Sequence, residues 1–436
     1  MPRTLGALLA GAAVLAAAVV ASVPAKADAV AKSPLPVADP ETVGLSKERL
    51  ARIEEALQRE IAQDRLPGAV VAIARRGKLA YFKAIGYRDK SKKEPLRTDA
   101  LFSLASMTKP MVSVAIMMLY EEGRLMLSDP IGKHLPLLAD RQVGVIKKDA
   151  AGKETIERVP AKRQPTIQDL LRHTSGITYG GRGTTAVHKL YPRSSSTSGM
   201  TMTREEFLAA LGKAPLLYEP GTVWDYGLST DVLGLIVEKV SGKTLGEFLK
   251  ERIWIPLAMS EASFVLAPEK KARYALALPK DPINGKPQFV LHASGKPLKF
   301  ECGGGCALSS TADYVRFAQM LLNGGSLDGK RLLGRRTVTL MTSDHLGPEI
   351  VNNVGRTSVA MQGYGFGLGF AVRRGDGVAG MIGSAGDYTW AGAYGTYFTI
   401  DPKEQLVLVF MAQAPGAIRQ YHRELVRALV WQSIVD

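Results

Sequence analysis

Ser106-Met107-Thr108-Lys109 is the one Ser-x-x-Lys in the chain. On a helix, that spacing puts a hydroxyl and an amine on one face, about a hydrogen bond apart. The pair offers a nucleophile and a group that takes its proton or holds positive charge beside it. Phe102 to Ala105 reads as extended chain, and Met111 to Glu122 (MVSVAIMMLYEE) as an apolar helix with Pro110 in its first turn. Ser106 therefore falls at a helix start, where the dipole favours a developing oxyanion. Four-residue patterns also arise by chance, so the pair needs company. A candidate partner is Tyr226, in Pro220-Gly221-Thr222-Val223-Trp224-Asp225-Tyr226, on a loop ahead of a helix starting at Ser229. From the local sequence alone, an ordinary half-buried tyrosine is the favoured reading. There is no Gly-x-Ser-x-Gly, which argues against the nucleophile elbow of an α/β-hydrolase.

The elements that must position these residues are readable from periodicity. Ser46 caps a helix with an apolar stripe at Leu50, Ile53, Leu57 and Ile61, and strands follow at Ala69 to Arg75 and Leu79 to Tyr87. Near the other end, Tyr364 to Arg373, Ala393 to Ile400 and Gln405 to Met411 read as strands, and 417–434 as a helix. Antiparallel strands at both ends predict one sheet completed by both halves of the chain and flanked by helices. The fold class is α+β, with residues 28–135 and 290–436 as the α/β lobe and 136–289 as a mostly helical lobe. Within the latter, helices are expected at 166–172, 203–211, 229–240 and 245–253, an extra hairpin at 143–160, and a long loop at 176–200. A further helix, 311–322, starts at Ser310.

Residues 1–27 read as a signal peptide: Arg3, an apolar Ala-rich run from Leu5 to Val23, then Ala25-Lys26-Ala27. An uncleaved anchor is the competing reading. Removal predicts a periplasmic or secreted protein with no stable membrane insertion. The formal charge of +15 is dispersed, with no recognition motif, so a nucleic-acid function is excluded in favour of contact with anionic envelope polymers or simple solubility. The two cysteines, Cys302 and Cys306, bracket three glycines; a disulfide and two thiols are both compatible with an oxidising compartment. Two cysteines without a nearby His pair make no zinc site, and no metal or cofactor is expected. Oligomeric state is not readable.

Ser106-x-x-Lys109, Leu171-Arg172-His173-Thr174-Ser175-Gly176-Ile177, Glu219-Pro220-Gly221, Tyr226 and the strand around Trp390 follow one another in that order. This set resembles the serine β-lactamase and penicillin-binding-protein superfamily, in its class C branch, over about residues 42–434. The superfamily's Tyr-x-Asn and Lys-Thr-Gly are missing. Tyr226-Gly227-Leu228 and Tyr388-Thr389-Trp390-Ala391-Gly392-Ala393 stand in their places, as in the family VIII carboxylesterases with their Trp-x-Gly. The resemblance implies a β-lactamase/DD-peptidase-like fold and a serine hydrolase of small carboxylic esters. In it Ser106 is acylated, and Tyr226 is general base with its phenolate favoured by Lys109. The backbone N–H groups of Ser106 and Ala393 form the oxyanion hole, and Trp390 and Gly392 face the substrate. Lys109 as the working base stays open. A D-stereospecific peptidase or amidase, a β-lactamase, and a non-catalytic envelope-binding protein are the alternatives. His173 is expected to hold a loop, and His345-Leu346-Gly347 lacks the strand pattern of a site motif.

Overall fold

The strand Gly68–Arg75 (GAVVAIAR) is buried along its whole length, the pattern of a strand covered on both faces. One edge pairs antiparallel with Lys78–Asp89. The other pairs with Leu406–Ala412, Ala69 opposite Ala412 and Arg75 opposite Leu406. This pairing joins the early and late halves of the chain into a single eight-stranded antiparallel sheet. From one edge its strands run Tyr364–Phe366, Ala371–Arg373, Tyr388–Ala391, Tyr397–Asp401, Leu406–Ala412, Gly68–Arg75, Lys78–Asp89 and Glu94–Pro95. A sheet completed by both halves of the chain and flanked by helices is the α+β architecture the sequence predicts. The computed structural model describes residues 34–436; the expected signal segment, 1–27, lies outside them.

Strand alternation divides the core in two. Val70, Ala72, Val409 and Met411 face the large core, which includes the apolar residues of helices Thr108–Glu121 and Thr311–Leu322. Val71, Ile73, Leu408 and Phe410 face helices Lys47–Ala62 and Ile418–Trp431. Leu50, Ile53, Leu57 and Ile61, the predicted stripe, are all buried there. Ser46 caps its helix through Arg49 N–H, Ser310 caps its own through Asp313 N–H, and Thr203 with Glu206 forms a capping box. The expected extra hairpin is Gln142–Lys148 with Glu154–Pro160.

Three expectations are corrected. Tyr364 to Arg373 is two short antiparallel strands, because Gly367-Leu368-Gly369 turns between them, with Gly369 at φ 104°. The strand expected from Ala393 begins at Tyr397, since residues 392–396 form the turn closed by Gly392 N–H to Thr396 O at 2.9 Å. The loop 176–200 contains the start of a helix, Ser195–Thr201, capped by Ser194. Ser/Thr/Gly composition masked that helix.

Candidate active site

Strand Leu101–Ser103, paired with Leu308–Ser310, delivers the chain to a tight turn, Ala105–Met107, that runs directly into helix Thr108–Glu121. Ala105 takes φ 47°, a left-handed conformation that costs a non-glycine residue on the order of 1 kcal/mol. The turn is clamped: Thr108 Oγ1 donates to Ala105 O at 2.7 Å and Tyr314 OH to Met107 O at 2.9 Å. Ser106 is half-buried while residues on either side are buried, so its hydroxyl is the accessible group of the turn.

Lys109 lies one turn on and is fully enclosed. Its Nζ reaches Ser106 Oγ at 3.5 Å, Tyr179 OH at 3.1 Å and the Gly304 carbonyl at 2.5 Å. An ammonium has three protons, and here each has an acceptor. Tyr179 OH meets Ser195 Oγ at 2.8 Å, Ser195 Oγ donates to Asp231 Oδ2 at 2.7 Å, and Gly304 N–H donates to Asp231 Oδ1 at 2.9 Å. These bonds close a ring from Lys109 through Tyr179, Ser195, Asp231 and Gly304 back to Lys109. Burial works against the lysine's charge, but Tyr179, Tyr226 and Asp231 outweigh it and hold its pKa above the ordinary lysine value. Burial raises the Asp231 pKa, and the Lys109 charge and three hydrogen bonds pull against that rise.

Sequence reasoning missed Tyr179, Ser195, Asp231 and Gly304. A signal existed for Asp231, an acid in the first turn of the apolar helix Ser229–Ser241. Cys302 and Cys306 are a disulfide with Cα atoms 5.2 Å apart, so Gly304 sits at the middle of a small covalent ring.

Tyr226 is brought in by the loop before that helix and lines the same cleft as Ser106. Lys109 Nζ lies 4.7 Å from its ring centroid, and Trp390 Nε1 donates to its hydroxyl at 3.2 Å. Trp390, expected to face the substrate, thus also gives Tyr226 a polar contact. The Tyr226 ring is held among His173, Trp224, Tyr179 and Trp390, with centroids 4.9, 6.0, 5.6 and 5.2 Å away. His173 is buried and lies behind the ring rather than in the cleft lining; burial, then the Lys109 and Arg182 charges, drive its pKa well below the usual value. Leu228, where the superfamily has Asn, is buried in the core.

The strand Tyr388–Ala391 and the residues after it form the opposite wall. A Cβ on Gly392 would lie 2.1 Å from the Leu104 carbonyl, so only glycine lets this wall approach the nucleophile turn. Thr396 Oγ1 donates to the same carbonyl at 2.9 Å and fixes that approach. Among the described residues, the N–H groups of Ser106 and Ala393 have no internal acceptor. The cleft they share has a volume of about 190 Å³, and its lining includes Tyr226, Trp390, Met361, Met381, Tyr397, Arg419 and Arg423.

A nucleophile turn, a charged lysine behind it and a glycine-hugging strand across from it define a serine hydrolase of the β-lactamase and penicillin-binding-protein fold. The chain belongs to the Beta-lactamase family, whose model matches residues 50–430. It is 35% identical over 353 residues to protein Rv1367c of Mycobacterium tuberculosis, covering 80% of this chain and 86% of that one. It is 30% identical over 379 residues to esterase EstB of Burkholderia gladioli, covering 83% and 90%. Among solved structures, EstCE1, a hydrolase with promiscuous acyltransferase activity, superposes with a TM-score of 0.70 at 24% identity, covering 88% of this chain and 99% of that one.

Proposed function

We propose that this chain is an exported carboxylesterase that cleaves small carboxylic esters through an acyl-enzyme on Ser106. The observation that carries the reading is the Lys109 ammonium, whose three N–H bonds are all engaged. A lysine so held is a fixed positive charge, and the base role passes to Tyr226. Tyr226, acting as its phenolate, takes the Ser106 proton as Oγ attacks the ester carbonyl. The carbonyl electrons move to oxygen, which the N–H groups of Ser106 and Ala393 receive. Collapse breaks the ester C–O bond, and Tyr226 returns the proton to the departing alkoxide. Water then attacks the acyl-enzyme with Tyr226 again as base, releasing the acid and regenerating Ser106.

Esters fit this site better than peptides or lactams. An alkoxide leaves with less assistance than an amine; Trp390 lines the cleft where a cation would hold a peptide-like substrate, and Leu228, in the place of the amide, is buried in the core and offers it no contact. The relative EstB is named an esterase, in agreement. Export rests on the Ala-rich N-terminal segment and its Ala-x-Ala.

The test is a panel of p-nitrophenyl esters, D-alanyl amides and a chromogenic cephalosporin, with mass spectrometry for adducts. Esters should turn over fastest, and a fluorophosphonate should add to Ser106. Ser106→Ala with undiminished ester turnover rejects the assignment. Faster cleavage of D-alanyl amides or of the cephalosporin would move the substrate class to those compounds, and a folded protein that takes no label would be a binding protein.

A further inference from the structure

Two cations lie over the ring of Tyr226. Lys109 Nζ is 4.7 Å from the ring centroid, and the Arg182 guanidinium carbon is 5.4 Å from it. The two are held differently. Lys109 is enclosed, with its N–H groups engaged by Ser106, Tyr179 and Gly304. Arg182 is exposed and lines the cleft that holds Ser106. Among the described residues, its side chain makes no hydrogen bond or ion pair. Its backbone, by contrast, is pinned. Gly180 N–H donates to the Pro192 carbonyl at 2.9 Å, Gly181 N–H to the Arg193 carbonyl at 3.0 Å, and Arg182 N–H to the Tyr179 carbonyl at 3.1 Å. A Cβ on Gly180 would lie 2.3 Å from the Tyr191 carbonyl oxygen, so this close approach requires glycine. The segment that brings Tyr179 to Lys109 thus also fixes where the Arg182 side chain starts.

The other groups around Tyr226 come from several elements. His173, behind the ring, has its pKa driven down by burial and then by the charges of Lys109 and Arg182, so the field of both cations reaches this space. Tyr179 is a neutral hydroxyl, its pKa raised by burial. Trp390, on the strand across the cleft, gives an uncharged N–H. Arg423, on the C-terminal helix, also interacts with Tyr226 and donates to the Gly392 and Thr396 carbonyls. Two acids oppose these cations. Asp231 is tied to Ser195 and Gly304. Asp225, next to Tyr226 in the chain, has its pKa raised by burial, while the Arg182, His188 and Arg356 charges pull it back. An acid beside a phenol disfavours the phenolate, and a cation at this range favours it.

We propose that Arg182 is a positioning residue for the esterase reaction: its charge joins that of Lys109 in favouring the Tyr226 phenolate, the form that takes the Ser106 proton. Freedom from an ion pair is what suits Arg182 to this role, because a bound carboxylate would cancel most of its field at the ring. A guanidinium also keeps its charge at any pH where the phenol titrates, so its influence is constant across the profile. This inference deepens the esterase reading and rests on Tyr226 as the base of that reaction.

The experiment follows kcat/KM on p-nitrophenyl butyrate against pH for the full chain, Arg182→Gln and Arg182→Lys. The Arg182 side chain is exposed and makes no hydrogen bond, so both variants keep the fold. Rate rises through the acid limb as the Tyr226 hydroxyl loses its proton. Arg182→Gln should move that limb to higher pH by about half a unit, the effect of one screened charge at this range. Below the limb this variant is then slower by about threefold, since one unit corresponds to tenfold. Arg182→Lys should restore the limb. Salt at about 1 M should move the wild-type limb toward that of Arg182→Gln and move the variant much less, because an exposed charge is screened and the enclosed Lys109 is not. A second measurement needs no turnover. Tyrosine labelled with carbon-13 at Cζ, its Tyr226 signal assigned by loss in Tyr226→Phe, should titrate at higher pH in Arg182→Gln by the same amount. A rate that falls equally at every pH, or a limb that stays in place, overturns the role given to Arg182 and leaves the esterase reading standing. A limb that survives Tyr226→Phe puts the base elsewhere and overturns the Tyr226 step together with the Arg182 role. Absence of ester turnover with Ser106 unlabelled by a fluorophosphonate sinks the esterase reading, and the tyrosine titration then decides the influence of Arg182 by itself.

Discussion

The Lys109 ammonium gives one N–H to the Gly304 carbonyl at 2.5 Å, and Gly304 lies midway round the ring closed by Cys302 and Cys306. The disulfide therefore braces an acceptor of the lysine beside the nucleophile, 195 residues away in sequence. Closing so short a loop removes little chain entropy, so its contribution to global stability is small. Its effect is on position.

Cys302→Ser with Cys306→Ser should accordingly lower kcat on a p-nitrophenyl ester by about tenfold, the worth of one misplaced charged hydrogen bond, while the melting temperature changes little. Steady-state kinetics and a thermal melt of the double variant check both halves. An unchanged kcat would show that Gly304 keeps its place without the covalent ring.

Tyr226→Phe removes the hydroxyl that accepts from Trp390 and lines the cleft with Ser106. It should cost about 10²–10⁴ in kcat, the usual scale for losing a general base, with the fold intact by circular dichroism. Retained activity would return the base role to Lys109.

Asp231→Asn tests the ring behind the nucleophile. Asp231 is among the groups that hold the Lys109 pKa high, so removing its charge lets that pKa fall. The alkaline limb of the kcat/KM profile should move to lower pH, and kcat should drop at every pH because Ser195 and Gly304 N–H lose a charged acceptor. A profile that only scales down, without moving, would mean Asp231 is structural.

Gly392→Ala places a methyl against the Leu104 carbonyl, where 2.1 Å is available. The wall must retreat from Ser106, and Ala393 N–H moves with it. A loss of about 10²–10³ in kcat is expected, the scale seen when one oxyanion donor is lost, with a smaller change in KM. Wild-type kcat would exclude Ala393 as a donor.

Acid should destabilise the fold through buried histidines. His292, whose Nδ1 lies 2.6 Å from Ser103 Oγ, is pushed down to about 4 by burial, from an unfolded value near 6.5. Between those values the unfolded chain binds more protons, so this group's stabilisation is complete above 6.5 and is lost as pH falls toward 4. Asp313, raised to about 7 by burial, acts with the opposite sign over the same window, favouring the fold as pH falls. His292→Gln should therefore flatten the acid-side fall in melting temperature relative to the wild type, and Asp313→Asn should steepen it. Thermal melts at stepped pH values separate the two.

Much of the frame was legible because its causes are local. The short continuous apolar run GAVVAIAR records a strand covered on both faces, the stripe from Leu50 to Ile61 records a helix, and Ser46, Thr203 and Ser310 record where helices begin. Ser106 and Lys109 belong to the same class: one helical turn brings them together whatever the remainder of the chain does. Where local signals conflicted, as in Gly367-Leu368-Gly369 or the Ser-rich run before Ser195, the sequence pattern misplaced an element.

Tyr226 was a candidate from its loop position that only a family motif raised above an ordinary tyrosine, and Tyr179, Ser195, Asp231 and Gly304 were not singled out at all. Each is unremarkable among its neighbours, because a hydrogen bond between residues tens or hundreds of positions apart leaves no periodic trace. Their meeting depends on how helix Ser229–Ser241, the disulfide ring and the segment before Ser195 pack around one lysine. The same holds for Arg419 and Arg423: periodicity predicts their helix, but only its packing in the assembled fold decides that they line the cleft. The sequence by itself determined the elements and the Ser106–Lys109 pair, since both follow from backbone geometry over a few residues. Tertiary structure alone decided what surrounds that pair, since burial and charge compensation are properties of the assembled core.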